Sequence, residues 1–189
     1  MKLLSAFLII LIAASAIAQP ARSIKAASID ELNKLAEGKT KATSNVPLAT
    51  ADSAALEGAD VFGDHHLPNY VLALGLLPKA AKPMAVTFKT YLYGGSIAPE
   101  TKMAVGLRIA QIWHSPYVAV HLQRLMRASE TGKSLLAAMQ KDGEKDLKGQ
   151  QRLAIRYADL LTRDIHGVTD EDFKEVRGYF NDSQIVELS

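Results

Sequence analysis

From about Asp60 onward, apolar positions recur every three to four residues, and proline or glycine breaks the run at short intervals. Pro68-Asn69 leads into one such block, Tyr70 to Leu77, which Pro78 ends. Ala80 to Tyr93 predicts a second helix, stopped by Gly94-Gly95. Pro99 is suited to open a third, and Glu100 in its first turn suits the positive end of the helix dipole. Within it Met103, Leu107 and Ala110 fall at i, i+4 and i+7 and define a buried stripe. Ala104 and Gly106 allow another helix to approach closely. A fourth helix is expected from Ser115-Pro116 to about Glu130, with Gly132 after it, and a short one from Ser134 to Lys141. A charged, glycine-flanked loop, Asp142 to Gly149, precedes the periodic stretch Gln150 to Arg163, with Leu153, Tyr157, Leu160 and Leu161. Thr169-Asp170-Glu171-Asp172 has the form of a capping box and predicts a helix through Phe180. Asn181-Asp182-Ser183 caps one more. No stretch keeps the two-residue alternation of a strand, so the fold class is all-α.

Upstream the pattern changes. Residues 19–58 are rich in Ala, Ser, Thr, Lys and Asp. Ser28 to Glu37 supports a short helix with Ile29, Leu32 and Leu35 on one side, but Gly38 to Ser53 has no periodicity and contains Pro47. The expected organisation is a flexible N-terminal arm over 19–58 and a helical domain over 59–189. Residues 1–18 combine Lys2, an apolar run from Leu3 to Ile12 and the small-x-small end Ala16-Ile17-Ala18. That is the pattern of a secretory signal peptide. The run is short for a bilayer span of about 20 residues. Cleavage is therefore expected rather than a stable membrane anchor, with the mature chain periplasmic or secreted.

Composition narrows the chemistry. Apolar residues make up 48% of the 189, enough for a real core in one domain. The net charge of +2 is spread along the chain with no long basic run, so nothing resembles a nucleic-acid footprint. There is no cysteine, which excludes disulfides, thiolate metal sites and thiol catalysis.

The densest chemistry is the run WHSPYVAVH, residues 113–121. Ser115 is placed as an N-cap, with Pro116 at the first helical position. As a nucleophile it would need an adjacent base and an orienting acid, and no GxSxG elbow is present. His114 and His121 are seven apart, about 10.5 Å along one continuous helix, too far to share a metal. His114 is expected in the turn before the helix. His121, about two turns in, is a candidate general base, since an ordinary imidazole titrates near neutrality. The blander reading is a hydrogen-bonded histidine at a helix contact. Asp64-His65-His66 would need partners from elsewhere to bind a metal, and reads more simply as a polar loop. His166 suits a helix C-terminal turn. Tyr91, Tyr93, Trp113 and Tyr117 fall in one region and at helical spacing read as core.

The run IAPETKMAVGLRIAQIWHSPYVAVHLQR, residues 97–124, resembles the carboxymuconolactone decarboxylase and alkylhydroperoxidase (AhpD-like) superfamily. The segment YADLLTRDIHGVTDEDFKEVRGYFNDSQIVEL, 157–188, is similar to the later helices of that domain. The resemblance implies an AhpD-like helical domain, commonly oligomeric. Peroxidase members carry a glutamate on one helix, a Cys-x-x-Cys at the start of the next, and a histidine a turn later. Counting onto this chain places the glutamate at Met103, the cysteines at Ser115 and Val118, and the histidine at Leu122. All four catalytic residues are absent, so the family-level thiol peroxidase (peroxiredoxin-type) activity is contradicted. The decarboxylase branch implies acid–base chemistry on a small organic acid without cysteine. Such a reaction needs a general acid or base and a cation for the carboxylate. His121 stands beside the family's histidine position, and Lys102 and Arg108 are candidate cations.

Two functions follow as expectations. One is a cysteine-independent lyase of the decarboxylase type, with His121, His114 and Ser115 as candidate catalytic residues. The other is a non-catalytic member binding a small molecule or a protein in a pocket formed by Met103, Tyr117, Val118 and Leu122. Met103 and Leu122 in place of Glu and His make that pocket more apolar, which favours binding. No cofactor and no metal is expected. A homo-oligomer is.

Overall fold

The structure, a computed structural model, describes residues 25–38, 44–57, 59–60, 67–141, 147 and 149–189. The expected signal peptide, the Asp64-His65-His66 cluster and most of the loop over 142–148 lie outside them. The described residues form nine α-helices and no strand: α1 (Ile29–Glu37), α2 (Asn69–Leu74), α3 (Pro78–Tyr93), α4 (Pro99–Ile112), α5 (Pro116–Met126), α6 (Glu130–Lys141), α7 (Gly149–Asp164), α8 (Asp170–Arg177) and α9 (Asp182–Leu188). Short 3-10 turns occur at Ala54–Leu56 and Ile165–Gly167. The all-α class expected from the periodicity is the class observed.

Helix α4 is the axis of the molecule, in contact with α5, α6 and α7. Its predicted stripe is buried, with Leu107 fully enclosed, and Ala104, Val105 and Ile112 on other sides are buried too. A helix apolar on most of its circumference belongs inside a bundle. Around it the main core gathers Met126, Leu136, Ile155, Tyr157 and Val176. A second, smaller core joins the Ala54–Leu56 turn to α2 and α3 through Leu56, Ala59, Val71, Ala81 and Ala85.

Several boundaries differ from the sequence pattern. Pro78 opens α3 at its first position instead of only closing α2, as a residue without a useful N–H can. The fourth predicted helix, α5, ends at Met126 rather than about Glu130, and the short helix expected from Ser134 begins four residues earlier, so that α6 starts at Glu130. Gly132 therefore lies in the first turn of α6, where a Cβ would collide with the Met126 carbonyl oxygen. The capping box predicted at Thr169 is present, and the cap expected at Asn181 is a capping box too. Thr169 accepts from the N–H of Asp172, and Asn181 from that of Gln184, with each partner returning a bond.

The expected arm is only partly an arm. Ala27, Ile29 and Leu32 belong to the main core, while Leu35 is exposed. Ser28 and Glu31 form a reciprocal capping box that starts α1. The N–H of Ala27 donates to the Gln111 carbonyl (2.9 Å), and the amide of buried Gln123 on α5 donates to Asn33 (2.8 Å). Composition hid this, because only three buried apolar residues, Ala27, Ile29 and Leu32, and a few polar contacts hold a segment that is otherwise hydrophilic.

Candidate functional site

Helix α4 ends at Ile112, and the chain must reverse within three residues to start α5. His114 makes that turn in the left-handed region, with φ 49°, a conformation uncommon outside glycine. Its Nε2 lies 2.8 Å from the Lys25 carbonyl oxygen. A carbonyl only accepts, so Nε2 carries the proton and the ring fastens the start of the described chain. Ser115 occupies the N-cap position of α5, yet its hydroxyl makes no capping bond. Its N–H instead donates to the Ala110 carbonyl at 2.8 Å. Neither His114 nor Ser115 lines the main cavity.

That cavity, about 590 Å³, opens between α3, α4 and α5. From α5 it receives Tyr117, Val118, His121, Leu122 and Leu125. The spacing i, i+1, i+4, i+5, i+8 is one face of a helix. His121 and Leu122 thus both reach the cavity, although a single-residue offset turns a helix by about 100°. Gly106 on α4 forms the floor. A Cβ there would lie 3.0 Å from Leu122 Cδ1, so the missing side chain is what lets α5 settle and keeps the space open. Met103, expected in the pocket, is instead buried in the main core. It is one step round the helix from Lys102, which does line the cavity.

One wall is a series of rings. Phe88 meets Tyr70 edge to face at 6.0 Å, Tyr70 meets Tyr117 at 6.4 Å, and Tyr117 meets the His121 ring at 4.6 Å. Such T-shaped pairs set the electropositive edge of one ring against the electron-rich face of the next. The Tyr117 hydroxyl also accepts from the backbone N–H of Tyr70 at 3.4 Å. Burial, with a smaller contribution from Tyr117, pushes the Tyr70 hydroxyl pKa above its ordinary value, so it stays a neutral phenol. The four tyrosine and tryptophan positions expected as core are all substantially exposed. Tyr91 and Tyr117 line the cavity, while Trp113 is 60% exposed and does not.

The far end of the cavity holds an ion pair between Lys102 on α4 and Glu187 on α9, with Nζ to Oε1 at 2.8 Å. Lys102 also donates to the Gly94 carbonyl. The Glu187 carboxylate accepts from the backbone N–H groups of Ser96 (3.0 Å) and Ile97 (3.3 Å). Burial by itself raises the pKa of this carboxyl, but the Lys102 hydrogen bond and the two backbone donors outweigh it and hold the pKa below the usual glutamate value. Gly95 makes the arrangement possible. It sits at φ 81°, and a Cβ on it would collide with the Glu187 carboxylate. The sequence marked Gly94-Gly95 only as a helix stop. Glu187 was missed because nothing local ties a carboxylate in the last helix to a turn some ninety positions earlier.

The other candidate cation faces elsewhere. Arg108 pairs with Asp159 on α7 at 2.7 Å, and Arg163 holds the same carboxylate at 2.8 Å. His166 is exposed in the 3-10 turn after α7. Among the described residues no group of three or more His, Cys, Asp or Glu is placed to hold a metal, and no helix is long and apolar enough to cross a membrane.

No protein-family model matches this chain, and no curated protein or solved structure gives a significant match.

Proposed function

We propose that this chain is an exported, cysteine-free protein of the AhpD-like class, and that it binds a small, largely apolar molecule between α3, α4 and α5. The single observation that carries the binding reading is the cavity itself. Its size falls in the range of small-molecule sites, and a few polar groups interrupt walls of hydrocarbon and ring. The family and the homo-oligomer rest on the resemblance of residues 97–124 and 157–188, and export rests on the pattern of residues 1–18. The exposed apolar side chains of α3 outside the cavity, such as Met84 and Val86, suit subunit contacts. Thiol-based peroxide reduction has no residue to perform it.

Val118→Trp tests the binding reading. Val118 is 43% exposed at the cavity wall, so a larger side chain there fills the space without entering the core. A thermal-shift screen of small aromatic compounds should find molecules that raise the midpoint of the wild type, as any ligand of the folded state does, and fail to raise that of the variant. Compounds that stabilise both proteins equally would place binding elsewhere.

His121 favours a second reading, acid–base chemistry on the bound molecule, because its imidazole is on the cavity wall beside Tyr117. Any turnover found should vanish in His121→Ala while the circular-dichroism spectrum stays unchanged. Unaltered turnover would remove His121 from the chemistry.

A further inference from the structure

Among the described residues, the two acidic and basic side chains that line the cavity, Lys102 and Glu187, are committed to each other. Lys102 and Glu187 are 2.8 Å apart, with side chains only 8% and 12% exposed. Backbone donors from Ser96 and Ile97 complete the carboxylate, and the Gly94 carbonyl takes a second proton of the ammonium. The pair is neutral overall. Neither member can turn to a ligand ion without leaving the other uncompensated in a largely dehydrated place. The rest of the lining among the described residues is rings and hydrocarbon, with the Phe88–Tyr70–Tyr117–His121 series on one side and Val105, Leu122 and Leu125 on the others. Rings set edge to face suit a flat π system, and a phenol edge such as that of Tyr117 suits one neutral hydrogen-bonding group.

We infer that the ligand of this cavity is an uncharged, planar aromatic molecule with a neutral hydrogen-bonding substituent, rather than an organic acid or an amine. This rests on the cavity being a binding site. A carboxylate or ammonium would lose its hydration on entry, and the charged groups already present are engaged with each other. The lyase expected from the family resemblance would need a cationic clamp, and Lys102 is not free to act as one while Glu187 holds it.

Three probes of nearly equal shape decide it: 1-naphthylmethanol, 1-naphthoate and protonated 1-naphthylmethylamine. The full chain, labelled at Val and Leu methyl groups, is titrated with each at pH 8, where an ordinary imidazole is uncharged. Val105, Leu122 and Leu125 report occupancy, and their shifts give Kd. The alcohol should move these methyls and bind at least tenfold more tightly than either ion. Equal or tighter binding of an ion at the same methyls overturns the inference while leaving the cavity a binding site. No shift at these methyls with any probe overturns both. Glu187→Gln supplies the control for cause. It releases the Lys102 ammonium, so naphthoate affinity should rise at least tenfold over the wild type. An unchanged naphthoate affinity would contradict the ion pair as the source of selectivity.

Discussion

Replacing Gly95 by alanine should cost far more than an ordinary loop substitution, and most of the cost should pass through Glu187. The backbone at Gly95 sits at φ 81°, where an L side chain costs about 1–2 kcal/mol. The new methyl would also occupy the space of the Glu187 carboxylate. The carboxylate is the far end of a flexible side chain and can swing out, but it then loses the Lys102 pair and the Ser96 and Ile97 donors. Charge-assisted hydrogen bonds are worth about 1.5–3 kcal/mol, and breaking a buried pair costs about 3–5 kcal/mol. These side chains are not fully enclosed, so the combined loss for Gly95→Ala should be about 3–5 kcal/mol. Urea unfolding followed by far-ultraviolet circular dichroism measures it directly, provided the m-value is unchanged. A second background isolates the cause. In Glu187→Ala the carboxylate is gone, and Gly95→Ala should then cost only the backbone part, about 1–2 kcal/mol. If the substitution costs the same in both backgrounds, the Gly95–Glu187 account is wrong.

Acid should weaken the fold through the same group. The folded-state pKa of Glu187 is held below the ordinary value of 4.5, so its contribution is present above that value and fades as pH falls through the lowered one. The wild type should therefore lose stability more steeply than Glu187→Gln as pH falls below the ordinary 4.5, and parallel curves would refute this. Thr169→Ala removes a working capping box and should cost about 1 kcal/mol, while Ser115→Ala, whose hydroxyl caps nothing, should cost less than about 0.5 kcal/mol. Equal losses in chemical denaturation would contradict the assignment of the two caps. Leu107→Ala, at the fully enclosed centre of α4, should cost about 2–5 kcal/mol, and a loss under about 1 kcal/mol would mean the core is not centred there.

Helix positions were legible wherever periodicity and punctuation agreed. The Met103–Leu107–Ala110 stripe, the Pro99 start and the caps at Thr169 and Asn181 all read directly from local chemistry. Ser115 shows the limit of such reading. Residue type and a following proline mark the N-cap position correctly, but whether the hydroxyl bonds depends on the turn that His114 makes. The cavity was half legible. Tyr117, Val118, His121 and Leu122 stood out because they lie on one helix in or beside the run WHSPYVAVH, and they line one cavity. Met103 does not line the cavity because counting along a resembling sequence gives a position along the helix, while the face it presents depends on what surrounds α4. Tyr70, Phe88 and Glu187 come from helices remote in sequence, and only packing brings them to the same walls.

The most direct test of the central claim is native mass spectrometry of the chain recovered from the cells that produce it, beside Val118→Trp prepared the same way. The cavity account predicts a discrete small-molecule adduct on the wild type that is lost from the variant. Identical spectra for the two proteins, with no adduct or with the same adduct on both, would contradict it.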